Sequence, residues 1–556
     1  MSSRQPAAAS ASTRIARRYV DVRGRRVHLR EAGSGKPVIL LHDSPRSSRL
    51  HLDTIRLLAP HFRVFALDTP GYGNSDPLHA ETPAIGDFAA ALGDALEALG
   101  LVDAPIYATH TSAKIALEYA ASTARPPALI LDGLSFPETL APAAFIDAYM
   151  RPFIIDAHGA YIAAEWTRTR DMLRWFPWFA TTTAGRMAME TPSSKWIEQY
   201  TIDLFSAGPD YSGAYAAAMR YDCGSALRAI TVPTLVAARR DDVLYGYLDR
   251  IPVAENPALS IERLESDRTA WGEWLLARLH DAAASSAEIP AAAPSATGYI
   301  DHAEGQIHVL RRGPQGDRPL LILEASSTLS AMGWQDALCA TRDTVVPDLP
   351  GFGESEALDD ASAAGYVAAL ATLAAHLGGK VDVLAIGPAS YLALAFAETQ
   401  PGMVGQLILD GATDTAADPA ALCPPLAFDM AGGHLHRAWH MLRDGQVQWP
   451  WYSGTIAAQR KTEPVLDGEA LHRALLGVIK QPARYGDAMR AAFSSVDASA
   501  RIKCPTLVFT RENDPFYAAA PGLGGTNTPR PDTIAEAAAL VAQFLDTSAA
   551  AAESVA

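Results

Sequence analysis

The 556-residue chain says nearly the same thing twice, and that repeat constrains its fold more than anything else in it. Around Tyr19 it reads YVDVRGRRVHLREAGSGKPVILLHDSP, and around Tyr299 it reads YIDHAEGQIHVLRRGPQGDRPLLILEASS. Each stretch has alternating apolar residues, a Gly turn, a second alternating run and then a continuous apolar run. That pattern predicts an antiparallel hairpin feeding a buried parallel strand. Four more blocks recur in the same order. VFALDTPGYGNSD, with Asp68 and Tyr72, matches VVPDLPGFGESE, with Asp348. IYATHTSAKIALEYA matches VLAIGPASYLALAFA. ALILDG, ending on Asp132 and Gly133, matches QLILDG, and VPTLVAARRDD, with Asp242, matches CPTLVFTREND, with Asp514. Each block is an apolar strand, a loop and a helical stretch, so each half predicts a parallel sheet covered on both faces.

Between the strands each half carries a helical insertion. Asp156, Gly159, Trp166, Arg170, Asp171, Pro177 and Trp178 recur at the same spacing as Asp429, Gly432, Trp439, Arg443, Asp444, Pro450 and Trp451. So specific a pattern reads as duplication. The expected organisation is a disordered tail over 1–13, a first domain over 14–280 with its cap at about 137–225, and an Ala/Ser/Pro-rich linker over 281–297. A second domain then covers 298–547 with its cap at about 421–495, and a disordered tail covers 548–556.

The bulk numbers exclude several classes. Apolar residues at 49% and charged residues at 19% suit a folded, soluble protein. A formal net charge of −16, with only short basic clusters at Arg14 to Arg18 and Arg23 to Arg30, argues against a nucleic-acid partner. No apolar run is long enough to span a bilayer, which argues against a membrane partner, and residues 1–13 lack the apolar stretch of a secretory signal. Cys223, Cys339, Cys423 and Cys504 are too few and too dispersed for a disulfide or metal framework. A cytoplasmic protein is the expectation. His434, His436 and His440 do not share one helical face, so no metal site is expected.

The strand-turn ILLHDSP, the D-x-P-G-x-G-x-S loop, the small-residue elbow before IALEYA and the acid after VPTLV resemble the α/β-hydrolase superfamily, twice over nearly the whole chain. The resemblance implies an α/β fold in each half: a mostly parallel, doubly wound sheet with a helical cap. It implies no cofactor. It also implies a nucleophile on a strained strand-to-helix turn, an acid after the penultimate strand and a histidine after the last. Counting back from the following helix puts the nucleophile position at His110 in the first half and Gly387 in the second. A frame shifted by one would make Thr111 the nucleophile.

Gly387 has no side chain, and Pro388 lacks the N–H that the family uses to hold an oxyanion. Glu324 stands where the family has the histidine of a His-Gly dipeptide, and Asp514 keeps the acid. In the first half, His42 keeps that histidine while Asp43 replaces the glycine. No histidine stands at the expected place after the last strand in either half: in the first, Asp267 lies near that place and His280, at the end of the terminal helix, is misplaced, and in the second none follows His472.

The first half is therefore expected to carry a His-centred site. His110 would titrate near neutral pH, oriented by Asp242 or by Asp132. Thr111 and Ser44 would donate backbone N–H groups to an oxyanion, and His42, Asp43, Tyr72, Trp166 and Arg170 would contact substrate. The expected reaction, on a small, largely apolar organic substrate, is ester- or lactone-type hydrolysis or a cofactor-free lyase-type step. The second half is then a non-catalytic copy, the two domains pack on each other, and an oligomer is compatible with the sequence. The alternative is a pseudoenzyme that serves as a binding or scaffold protein. The Trp/Arg/Asp pattern itself has two readings: it lines a pocket, or the Trp packs in the cap with an Arg–Asp pair holding it.

Overall fold

Strands that are apolar on both faces have to be covered on both faces, and each half of the chain meets that demand in the same way. The computed structural model describes residues 14–187, 190–283, 287–288, 298–414, 417–495 and 502–553, so the expected tail over 1–13 and most of the expected linker lie outside the described residues. The first sheet contains Ala16–Val22 (β1), Arg25–Ala32 (β2), Pro37–Leu41 (β3), Arg63–Leu67 (β4), Ile106–Thr109 (β5), Leu129–Asp132 (β6), Thr234–Arg239 (β7) and Leu259–Leu264 (β8). The second contains Tyr299–His302 (β9), Gly305–Arg312 (β10), Leu320–Glu324 (β11), Thr344–Pro347 (β12), Val381–Ile386 (β13), Val404–Asp410 (β14), Thr506–Thr510 (β15) and Thr526–Pro529 (β16).

Both sheets have eight strands in one order: β1-β2-β4-β3-β5-β6-β7-β8 and β9-β10-β12-β11-β13-β14-β15-β16. In each, the opening hairpin is antiparallel and the remaining strands run parallel. The first hairpin turns at Arg23 and Gly24, both at positive φ, as a two-residue turn between twisted strands needs. All of β3 and β4 is buried, and so is all of β13, as the uninterrupted apolar runs require.

Each residue pair matched by sequence sits in equivalent elements. Asp68 and Asp348 follow the fourth strand of each sheet, His110 and Gly387 the fifth, and Asp242 and Asp514 the seventh. The insertions lie between β6 and β7 and between β14 and β15. The last helix, Ile534–Glu553, runs past Thr547, where a tail was expected; its Ala-rich end favours continued helix.

By packing, the chain divides into two units: 1–154 with 168–295, and 155–167 with 296–556. The sequence reading gave all of 14–280 to one domain. The short segment 155–167 instead clusters with the second unit, and the Trp/Gly pattern explains why. Within that unit Trp166 covers Gly432, where an added Cβ would stand 2.8 Å from the indole, and Trp439 covers Gly159, where it would stand 2.6 Å away. Trp166 also packs edge-on against Phe428 and His434 and donates its Nε1–H to the Met430 carbonyl at 3.2 Å. The phenol of Tyr161 meets His472 Nδ1 at 2.7 Å. The repeated spacing is thus a packing device in which each glycine makes room for the other copy's indole. Burying an aromatic ring of this size contributes roughly 1.5–3 kcal/mol.

Candidate active site

The site of the first unit is built on the turn between β5 and the helix Thr111–Thr123. That turn is tight: His110 has φ 47 and ψ −108, a conformation few residues other than glycine adopt. The backbone is pinned by His110 N–H donating to the Asp132 carbonyl at 3.3 Å and by the His110 carbonyl accepting from Ala113. The strain projects the imidazole off the carboxyl end of the parallel strands, where α/β sheets present their ligand sites. Gly133, from the LDG block after β6, lies under the ring; a Cβ there would be 2.6 Å from His110 Cδ2.

His110 Nε2 lies 2.9 Å from Asp242 Oδ2, and about a third of its side chain stays exposed. Asp242 is fixed in turn, its Oδ1 accepting Leu244 N–H at 2.8 Å. Burial alone would favour the neutral imidazole. The Asp242 hydrogen bond and charge outweigh it, with Asp43 and Asp132 adding to them, and His110 is pushed up to about 9. The Asp242 carboxyl is raised by burial but held below its usual range overall by the same pair. His110 was expected to titrate near neutral pH; with a carboxylate directly behind it, it is an imidazolium there. A carboxylate facing Nε2 demands a proton on that nitrogen, so the proton that exchanges is on Nδ1, which meets no hydrogen-bond partner among the described residues.

The other expected site residues divide. Asp132 does not turn to His110: Tyr107 Oη and Trp271 Nε1 donate to its Oδ2 at 2.8 and 2.9 Å, and burial raises it. His42 is a staple. Its Nδ1 meets the Asp43 carbonyl at 2.8 Å, its Nε2 accepts Thr69 N–H at 2.9 Å, and Ser112 Oγ caps its carbonyl. Tyr72 is buried, donating to the Tyr211 carbonyl at 2.7 Å and accepting from Tyr215 N–H. Asp43 stands beside the site with a buried Oδ1 that has no hydrogen-bond partner among the described residues. Thr111 opens the helix at its N-terminus, and Ser44 follows the loop after β3. Trp166 groups with the other unit, and Arg170 is half-buried with no partner for its Nε among the described residues.

The second unit keeps the same frame with different contents. Gly387 has φ 51, and a Cβ there would land on the ring of Phe516. Asp514 is satisfied by backbone: its Oδ1 accepts Phe516 N–H at 3.0 Å and its Oδ2 accepts Lys461 N–H at 2.7 Å. Glu324 accepts Ala331 N–H at 2.9 Å through Oε2. At the place after the last strand stands Arg530, buried, with its Nε donating to Asp410 Oδ1 at 2.8 Å. No His/Cys/Asp/Glu cluster with metal-binding geometry occurs among the described residues, and no described helix is long and apolar enough to cross a membrane.

No protein-family model matches the chain. A 55-residue stretch is 38% identical to the pimeloyl-[acyl-carrier protein] methyl ester esterase of Vibrio campbellii, covering 10% of this chain and 22% of that protein. A 52-residue stretch is 44% identical to a haloalkane dehalogenase of Agrobacterium fabrum, covering 9% of this chain and 17% of that one. The chain thus spans about a fifth of the length of the curated relatives it matches. Among solved structures, epoxide hydrolase A of Mycobacterium thermoresistibile aligns over 50% of this chain and 100% of its own, at 20% identity and a TM-score of 0.39. A bromoperoxidase of Bacillus anthracis aligns over 48% and 100%, at 17% identity and a TM-score of 0.39. The shared strand order, the positive-φ turn after the fifth strand and the acid after the seventh are each present in both units, so one mostly parallel α/β architecture is carried twice.

Proposed function

We propose that the first unit is an acid/base enzyme site centred on His110, acting on a small, largely apolar organic substrate, and that the second unit is a non-catalytic copy. The observation that carries this reading is the His110–Asp242 pair: a strained elbow holds an imidazole 2.9 Å from a fixed carboxylate while leaving part of it open to solvent. In a serine triad a histidine bridges nucleophile and acid. Here the elbow residue is itself the imidazole and reaches the acid directly.

Its resting imidazolium supports proton donation from Nδ1. It would protonate the oxygen leaving an ester or lactone as water attacks the acyl carbon, and the neutral form would take up the proton that the water releases; in a lyase-type step it would protonate the developing charge and, neutral, accept the proton abstracted from substrate. The backbone N–H groups of Thr111 and Ser44 are the candidate donors to the oxyanion, and Asp43 adds negative potential that sustains the imidazolium.

A panel of activated esters, lactones and carbanion-forming substrates, run on wild type and His110→Ala, tests the reading. Turnover should fall in the variant, and a serine-directed organophosphate should leave the wild type unlabelled. Undiminished turnover in His110→Ala, or stoichiometric organophosphate labelling, would move the assignment to a non-catalytic binding protein or to a hydroxyl nucleophile.

A further inference from the structure

The second unit has lost the elbow side chain but not the space in front of it. A cleft of about 620 Å³, its mouth included, opens between the end of β11, the turn after β13 and the cap. Its walls are chiefly apolar, with Leu422, Met441, Leu442 and Met489 among them, and Trp449, Trp451 and Phe516 supply aromatic faces. Two side chains that carry charge line it, Glu324 and Arg460. They form no ion pair with each other among the described residues.

Arg460 is held for a purpose its own contacts leave unfinished. Its Nη1 donates to the Gly445 carbonyl at 2.9 Å, and its guanidinium lies over the Phe516 ring at 3.9 Å. Its Nε is buried and has no hydrogen-bond partner among the described residues. A guanidinium flattened on an aromatic ring at the wall of a largely apolar cleft, with no hydrogen bond to its Nη2 among the described residues, is a carboxylate receptor short of its carboxylate.

We propose that this cleft binds a small monocarboxylic acid with an apolar body, Arg460 taking the carboxylate and Trp449, Trp451 and Phe516 taking the body. Glu324 selects the charge type. Burial pushes its carboxyl above the usual range, which lessens its repulsion of a single negative charge, whereas a dianion such as a phosphate monoester is opposed more strongly. The bound acid leaves unchanged, because Phe516 fills the nucleophile's place. This inference concerns the second unit alone and stands or falls independently of His110.

The test is calorimetric titration of the full chain with benzoate and hexanoate against their neutral isosteres, benzamide and hexanamide. It is run in wild type and in a His110→Ala background, so that carboxylate binding at the first unit's imidazolium is removed. Each acid should bind at least tenfold tighter than its amide in both proteins, and Arg460→Gln should weaken the acids at least tenfold while leaving the amides within about twofold. Acid and amide binding equally, binding lost with His110 and kept without Arg460, or no saturable heat with any probe would each overturn the proposal. The acid-to-amide ratio is read on chains with Arg460 intact, so it decides the matter even if Arg460→Gln folds poorly.

Discussion

The two elbows share a backbone and differ in everything it holds. His110 at φ 47 and Gly387 at φ 51 occupy the same turn between fifth strand and following helix. In the first unit an imidazole fills the space and leans on Asp242. In the second a phenyl ring from Phe516 fills it, and the corresponding acid, Asp514, accepts two backbone N–H groups. A positive φ on glycine is inexpensive, whereas on histidine it is strain of roughly 1–3 kcal/mol that the surrounding structure must sustain. Strain retained where the side chain meets solvent and a fixed carboxylate points to use; strain relieved where the side chain is gone points to disuse.

The sharpest way to break the comparison is to remove the first imidazole. On whichever substrate the panel yields, His110→Ala should lose at least roughly a hundredfold in kcat/KM, the scale of a positioned proton-transfer group. Removing Arg460 in the other unit should leave that turnover within about twofold, a control that separates loss of the site from loss of the fold.

Next in size is the effect of rebuilding a side chain at the second elbow. Gly387→Ala should destabilise by roughly 2–4 kcal/mol, combining left-handed strain with overpacking against Phe516. Chemical denaturation of the variant and of the Phe516→Ala pair separates the two. In the Phe516→Ala background the same substitution should cost only the backbone part, roughly 1–2 kcal/mol. Equal costs in both backgrounds would mean that the ring does not occupy the nucleophile's place.

The titration of the first pair gives a smaller effect with a definite sign. His110 is raised to about 9 in the folded chain, against about 6.5 for a free imidazole. Its contribution to stability is therefore complete below about 6.5 and lost as pH rises through about 9. On the acid side, the Asp242 carboxyl lies below its usual range, so its contribution is present above the usual carboxylate range and lost as pH falls through the lowered value. With a third of the imidazole exposed, the alkaline loss is on the order of 1–2 kcal/mol. If Nδ1–H is the proton donor, activity should fall with pH along the same limb near 9, and Asp242→Asn should move that limb down toward 6.5. A limb that stays at 9 in Asp242→Asn would assign it to another group.

Much of this was legible in the sequence because it is carried by local pattern. Apolar runs such as PVILL and VDVLAI declare buried parallel strands, and the order of the repeated blocks points to both sheets and both strand-to-helix turns. The acid partner of His110 was legible as a pair of alternatives, and geometry separates them: Asp132 is consumed by Tyr107 and Trp271. What a sequence does not carry is the third dimension of long contacts. The allotment of 155–167 to the second unit rests on indoles meeting glycines 266 and 280 residues away, and spacing alone left Trp166 between a pocket and a packing role. Phe516 and Arg460 stand outside any motif, and only the fold brings them to the elbow of the second sheet. The raised imidazole was likewise out of reach, since it depends on a 2.9 Å distance between residues 132 positions apart.

The smallest effect tests the comparison at the acids themselves. Asp242 and Asp514 stand at one position of one fold, and their substitutions should part company. In Asp514→Asn the amide oxygen still accepts from one of the two backbone donors, Phe516 N–H or Lys461 N–H, and its NH2 group faces the other. Losing one charge-assisted bond of this kind costs about 1 kcal/mol. Among the described residues the charge at Asp514 meets only those two N–H groups, so on the proposed reading turnover at the first unit should not move. Asp242→Asn offers His110 an amide where a carboxylate stood, and the imidazole loses both its charge partner and the group that sets its tautomer. That variant should change the pH profile as well as stability. Denaturation midpoints paired with pH–rate profiles for the two variants read both quantities together. If Asp514→Asn shifts the alkaline limb as Asp242→Asn does, the second acid is chemically coupled to turnover, and the division of labour between the two units is wrong.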